Sequence, residues 1–259
     1  MESEYGMLTI ERRNKILEIL KTDGRVVVGD LSVMFGVTEE TIRRDLEKLE
    51  KEGFAKKTYG GAIIADSATV DLPFLIRKQS NIESKEHIAA IVCALIEDGD
   101  HLMLDASSTA VYIAKQLKSK KNLTVITNSI EIMLELSDIS GWKVLSTGGT
   151  LREGSLSLVG YQAEKMISTF HVDKSIVSCN GIDSIKGITD ANEMDAHMKR
   201  LMLESGNMKI LAVDQTKFDR ISFAKIEDIS CVDMIVTDKK LSEEWKNIFE
   251  NNNVDYRCN

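Results

Sequence analysis

The sequence has a single proline, Pro73, among 259 residues, and no run of about 18 apolar ones. No segment is therefore expected to span a membrane. The N-terminus carries Glu2 and Glu4 and no apolar stretch, so it does not read as a secretory signal. Four cysteines (Cys93, Cys179, Cys231 and Cys258) lack C-x-x-C spacing. They predict reduced thiols in a cytoplasmic protein, with neither a zinc site nor a disulfide frame. Four histidines (His87, His101, His171 and His197) form no H-x-x-x-H pair, so no metal site is expected. Excess positive charge is missing too. The net charge of −8 argues against a nonspecific polyanion binder. What is present, 43% hydrophobic and 29% charged residues, suits a soluble globular chain of one or two domains.

The most informative stretch is 37–53. Thr38 is a good helix N-cap, and Glu39 and Glu40 fall in the first turn, where carboxylates suit the helix dipole. Ile42, Leu46 and Leu49 share one stripe and are expected inside. Gly53 is a natural stop. At 100° per residue, Glu40, Arg44 and Lys51 point away from the stripe, with Arg43 on its flank. Such a face can reach phosphates or base edges. It also suits an ordinary solvated helix, because Glu40–Arg44 and Glu47–Lys51 have ion-pair spacing.

The flanks decide between these readings. Thr9 is placed to cap a helix whose Ile16, Leu17, Ile19 and Leu20 form an apolar face, ending near Asp23-Gly24. Val26-Val27-Val28 is a short β-rich run. A second short helix passes through Leu31, Val33, Met34 and Phe35, and Gly36 turns the chain into the helix after Thr38. This order is that of a helix-turn-helix. Phe54 to Ala62, with Lys56, Lys57, Tyr59 and Gly60-Gly61, reads as a two-stranded β wing. Residues 1–61 hold 11 Lys+Arg against 12 Asp+Glu, hence −1. DNA contact must then use local clusters: Arg12-Arg13, Lys15, Arg43-Arg44, Lys48, Lys51 and Lys56-Lys57. A small phosphate count predicts a moderate salt slope and reliance on oligomerisation.

This segment, through Phe35-Gly36-Val37-Thr38, Thr41-Ile42-Arg43-Arg44-Asp45-Leu46 and Tyr59-Gly60-Gly61-Ala62, resembles the N-terminal domain of the DeoR family of bacterial transcriptional regulators. The family's helix reads Val-Ser-x-x-Thr-Ile-Arg-Arg-Asp-Leu, and its wing ends in Gly-Gly-Ala. Thr38 replaces the usual Ser and caps equally well. Val27 stands where a polar cap is common, which puts a late or frayed start on the second helix. The resemblance implies DNA contacts from Thr38, Glu39, Glu40, Thr41, Arg43, Arg44, Lys48, Lys56, Lys57 and Tyr59.

Residues 62–84 lack a clean period. Asp66-Ser67-Ala68-Thr69 is loop-like, and Pro73 marks an extended stretch. The boundary is placed there: a winged helix-turn-helix domain over 1–65, and an effector-sensing and oligomerisation domain over 66–259. A helix near 84–97 leads into short apolar runs alternating with helices. The runs are 102–104, 123–126, 143–145, 175–177, 210–213 and 234–236. This alternation predicts an α/β domain with a mainly parallel sheet. Polar residues and glycines gather after the strands, at the edge where open parallel sheets hold ligands.

At that edge, Asp105 to Thr109 opens a helix. Its N–H groups and the hydroxyls of Ser107, Ser108 and Thr109 suit a phosphate, or cap the helix. Asp105 could accept from a sugar hydroxyl. Gly148-Gly149 reads first as a tight turn. Lys199 has Asp195 at i−4, the spacing of a surface pair, and a ligand contact is the alternative. Lys217 follows Asp214 by three. Together with Gly181-Ile182-Asp183 and Gly187-Ile188-Thr189, these stretches resemble the family's C-terminal sensor domain, itself similar to ribose-5-phosphate isomerase. That resemblance implies effector contacts from Asp105, Ser107, Ser108, Thr109, Thr127, Asn128, Gly148, Gly149, Gly181, Asp183, Lys199 and Lys217. Ser107 stands where Gly is common, and Asp195 where Glu is usual.

The isomerases carry an Asp-Gly-Ala-Asp-Glu motif for proton transfer. Here the stretch is Asn180-Gly181-Ile182-Asp183-Ser184, with amide and hydroxyl in place of two acids. A lone Asp is a poor general base. The expectation is therefore a regulator that needs no cofactor and has no catalytic residues. It would be a cytoplasmic homo-oligomeric repressor of a carbohydrate operon, released from double-stranded operator DNA by a phosphorylated sugar or related metabolite. An isomerase-like enzyme with an accessory DNA-binding domain is the alternative.

Overall fold

The computed structural model describes residues 8–64 and 71–258. It divides into two compact units, Met1–Ser80 and Asn81–Asn259.

In the first unit, helix α1 spans Thr9–Asp23. The Glu11 carboxylate accepts the Leu8 N–H at 3.1 Å, so the cap lies one residue before Thr9. Gly24, at φ +74°, ends the helix in the left-handed conformation. Strand β1 is Arg25–Val27 and helix α2 is Val28–Phe35. The second helix starts without delay, contrary to expectation. The Val28 N–H donates to the Gly60 carbonyl at 2.8 Å, so the wing turn replaces the missing polar cap. Helix α3 is Glu39–Lys51, and Thr38 Oγ1 accepts the Thr41 N–H at 3.3 Å.

Strands β2 (Ala55–Thr58) and β3 (Gly61–Ile64) form the expected antiparallel wing. Strand β1 pairs with the free side of β3, so the sheet has three strands instead of two. Gly61 permits this, since a Cβ there would lie 1.9 Å from the Val26 carbonyl oxygen. Helix α4, Phe74–Gln79, follows Pro73, and its Ile76 joins the core of Ile16, Leu20, Leu31, Ile42, Leu46 and Leu49. That burial places α4 in the first compact unit, which runs to Ser80. The loop expected at 66–69 lies outside the described residues.

The second unit begins with α5 (Ile82–Ala94), β4 (His101–Leu104), α6 (Ser108–Leu117), β5 (Thr124–Thr127), α7 (Ile130–Glu135) and β6 (Lys143–Ser146). A hairpin of β7 (Thr150–Arg152) and β8 (Ser157–Val159) follows, then α8 (Tyr161–Ile167) and β9 (Val172–Val177). Next come β10 (Gly181–Asp183), β11 (Gly187–Asp190), α9 (Glu193–Glu204) and β12 (Gly206–Ala212). The chain closes with β13 (Ala224–Glu227), β14 (Met234–Val236), α10 (Glu243–Asn251) and β15 (Asp255–Arg257).

Seven strands form one sheet in the order β15-β14-β12-β9-β4-β5-β6, and all its pairings are parallel. The α/β class with a parallel sheet is as the sequence predicts. All six apolar runs are strands. The seventh, β15, is polar because it is an edge strand with two of its three residues exposed. Strands β10, β11 and β13 form a small antiparallel sheet that the apolar pattern does not announce.

The winding order places the ligand edge. The chain runs outward from β4 through β5 to β6, returns to β9 on the other side of β4, and continues to β15. The direction reverses between β4 and β9. In open parallel sheets a crevice forms at the carboxyl ends of the strands at such a point.

Candidate nucleic-acid interface and sheet-edge site

Helix α3 buries Ile42, Asp45, Leu46 and Leu49 and turns its remaining side chains outward. Arg43 pairs with Glu39 at 2.5 Å and Arg44 with Glu40 at 3.3 Å. Lys48 pairs with Glu52 at 3.2 Å. The Arg44 side chain remains 76% exposed. Exposed pairs of this kind contribute ~0–1 kcal/mol, so a phosphate can displace the carboxylates. Glu39 and Glu40 therefore hold the arginines extended along the outer face. On the wing, the Lys57 N–H donates to Glu50 at 2.7 Å, tying β2 to α3. Lys57 Nζ lies 3.5 Å from Glu47, Lys56 is exposed, and Tyr59 stands fully in solvent at the turn. Thr38 and Thr41 share a 3.0 Å hydroxyl contact at the helix start.

Two cations of the sequence-level clusters go elsewhere. Arg12 Nε bonds Asp45 at 2.6 Å and Arg13 Nε bonds it at 2.9 Å. Arg12 is buried, so the Arg12-Arg13 pair is internal wiring between α1 and α3. Asp45 is not among the residues that the sequence singles out. The available signal was its place in the apolar stripe, three residues after Ile42. A carboxylate buried there requires a cation.

At the sheet edge, Asp105 closes the β4–β9 reversal. Its Oδ1 accepts the Ser107 N–H at 3.1 Å, and its Oδ2 accepts the Ser178 N–H at 3.0 Å. Lys199 Nζ lies 3.5 Å from the same Oδ2 and hydrogen-bonds Asp190. Burial works against the ammonium, but the Asp190 and Asp105 carboxylates outweigh it and raise the Lys199 pKa above its ordinary value. Lys199 is thus no surface partner of Asp195. Asp195 instead takes Arg152 at 2.6 Å and the Ser157 hydroxyl at 2.9 Å.

Ser107 Oγ accepts the Ala110 N–H at 3.0 Å and caps α6. Ser108 and Thr109, both nearly buried, have hydroxyls that hydrogen-bond to no other described residue. Their N–H groups belong to the first turn, which an α-helix leaves unpaired. Thr127 Oγ1 accepts the Ser129 N–H at 3.1 Å. Asn128 Nδ2 donates to the Leu158 carbonyl at 3.1 Å, while its buried Oδ1 has no partner among the described residues. Lys217 ends a one-turn helix and has no ion pair among the described residues. Burial opposes charge on Asp214, yet Lys217 and hydrogen bonds from Thr216 hold its carboxyl pKa below the ordinary value.

The other sequence-level residues have structural duties. Gly149 sits at φ +105°, where a Cβ would lie 2.6 Å from the Val159 carbonyl oxygen. Gly148, at φ +64°, completes the turn from β6 to β7. Gly181 lets the Arg220 carbonyl approach to 2.4 Å of its would-be Cβ. Asp183 Oδ1 accepts the Ile185 and Lys186 N–H groups in the turn between β10 and β11. It lies at the turn end of that hairpin, and Asp190 at the other end. Asp190 and Ser178 are the edge residues that sequence reasoning missed. Nothing in the local pattern marks either one, because their partners come from distant elements.

A winged helix whose third helix presents arginines, on one chain with a parallel α/β unit, is the architecture of a DNA-binding protein with an additional domain. Residues 12–68 match the family model described as a DeoR-like helix-turn-helix domain. Residues 80–239 match the DeoR C terminal sensor domain. The chain belongs to the DeoR family of transcriptional regulators. It is 42% identical to the uncharacterized HTH-type transcriptional regulator YulB of Bacillus subtilis (strain 168), covering 91% of both chains. Identity to the glycerol-3-phosphate regulon repressor of Escherichia coli (strain K12) is 32%, over 90% of this chain and 92% of that protein. Identity to the L-fucose operon activator of Haemophilus influenzae is also 32%, over 94% and 97%. Among solved structures, ribose 5-phosphate isomerase A from Methanocaldococcus jannaschii overlaps 54% of this chain and 55% of its own. The TM-score is 0.40 and the identity 14%. Among the described residues, no helix is long and apolar enough to cross a membrane.

Proposed function

We propose that this protein represses a carbohydrate-utilisation operon and that a phosphorylated sugar or related metabolite releases it from the operator. The observation carrying the reading is the start of α6. There the hydroxyls of Ser108 and Thr109, unpaired among the described residues, and the first-turn N–H groups stand at the β4–β9 reversal, beside Asp105. A helix N-terminus with free donors suits a phosphate. Asn128, its Oδ1 unpartnered among the described residues, and Lys217 supply further polar contacts. The names of relatives that act on the glycerol-3-phosphate regulon and the L-fucose operon support a carbohydrate pathway.

The α3 face and the wing grip DNA, with Thr38, Glu39, Glu40, Thr41, Arg43, Arg44, Lys48, Lys56, Lys57 and Tyr59 in contact. So few cations need paired copies, hence a homo-oligomer on repeated half-sites in the cytoplasm. Metabolite binding favours a conformer with poorer DNA geometry. A hundredfold change in occupancy requires a preference of ~2.7 kcal/mol between conformers. The site binds without turnover, since the Asp183 carboxylate is committed to its own turn.

The test is operator binding by fluorescence anisotropy at constant ionic strength, with and without a panel of sugar phosphates. Release by one of them is expected, and indifference to all would sink the sensor reading. Arg44→Ala is expected to weaken operator binding by ~1–3 kcal/mol and leave thermal unfolding unchanged. Full operator affinity in that variant would remove Arg44 from the interface.

A further inference from the structure

Asp45 lies in the middle of the recognition helix yet faces inward, with 2% of its surface exposed. Both carboxylate oxygens are taken by guanidinium groups from α1, Oδ2 by Arg12 and Oδ1 by Arg13. Arg12 is 6% exposed, while the Arg13 side chain is 30% exposed. We propose that Asp45 is a specificity-determining residue of DNA binding. It fixes α3 against α1, and it withholds Arg13 from sequence-independent contact with phosphates.

The physics has two parts. A guanidinium binds a carboxylate and a phosphate through the same fork of donors, so the two anions compete for it. With Asp45 charged, residues 1–61 balance at −1 and have little bulk attraction to DNA, and loss of that one charge brings the balance to 0. Without the Asp45 charge, Arg13, whose side chain is already 30% exposed, would turn out to water. There it would become a phosphate ligand, and each added phosphate contact steepens the salt dependence by ~0.9. The same change frees α3 to shift on α1, which moves Arg43 and Arg44 relative to base edges. Base readout tolerates little displacement, whereas phosphate attraction is tolerant. Specific and nonspecific binding are therefore pushed in opposite directions. A loss of folding would push both downward.

The experiment uses the full chain and D45N, which conserves side-chain size. Affinities for an operator duplex and for a scrambled duplex of equal length are measured across a salt series. Operator affinity is expected to fall about tenfold. Scrambled-duplex affinity should rise about threefold, with a salt slope steeper by ~1. A parallel fall of both affinities with unchanged slopes would overturn the proposal, as would no change in either. Should D45N lose its melting transition, Arg13→Gln takes its place, because it leaves the Arg12–Asp45 bond intact. That variant is expected to lower operator affinity severalfold without raising scrambled-duplex affinity. An unchanged ratio of the two affinities would overturn the proposal.

Discussion

Replacing Lys199 by methionine is expected to lower the melting midpoint of the α/β unit by roughly 10 °C at neutral pH. The ammonium is buried between Asp190 and Asp105, which come from different elements. Asp105 would keep the N–H groups of Ser107 and Ser178. Asp190 would keep the Ala191 N–H at 2.8 Å and lose the Lys199 ammonium. Removing one partner of a buried pair costs ~3–5 kcal/mol, because the remaining charge has neither water nor counter-ion. The pH dependence identifies the cause. In the variant, burial without a cation raises a carboxyl pKa above its unfolded value. The folded state then binds the extra proton, and stability recovers as pH falls. In the unmodified chain the raised Lys199 pKa contributes stability that is complete below the ordinary lysine value. It is lost only as pH rises through the folded value, so this group leaves the midpoint flat between about pH 5 and 8. Differential scanning fluorimetry of both chains across that range checks the result. A deficit that does not shrink on acidification would assign it to packing alone.

The second large effect belongs to the proposed metabolite site. Ser108→Asp is expected to raise the sugar-phosphate concentration needed for operator release by more than about a hundredfold. Ser108 is the first residue of α6. An aspartate there suits the helix dipole, so folding and operator binding are expected to persist. A phosphate arriving at the same N-terminus would meet a like charge in a nearly dry site, which costs several kcal/mol. The measurement is anisotropy of labelled operator against increasing metabolite for both chains. Release at an unchanged concentration would move the phosphate away from α6.

The recognition helix was legible because everything that defines it is local. The Thr38 cap, the Ile42-Leu46-Leu49 stripe and the stop at Gly53 lie within four turns. The parallel strands were legible as apolar runs, since strands covered on both faces bury successive residues. Local rules failed where partners are distant. Ion-pair spacing suggested Asp195 for Lys199, but Asp195 belongs to Arg152 on β7. Counting cations put Arg12 and Arg13 on the DNA side, but a carboxylate over thirty positions away holds both. The polar strand β15 and the β10-β11-β13 sheet carry no apolar pattern to read.

The sequence by itself determined the winged helix-turn-helix, the apolar strands of the parallel sheet and the family, because spacing and capping are properties of neighbouring residues. Only the tertiary structure decided the strand order. With it came the reversal between β4 and β9 that sets Asp105, Ser178, Asp190 and Lys199 together. It also decided which arginines face solvent. Both depend on which distant side chain reaches a buried charge first, and burial makes that pairing obligatory.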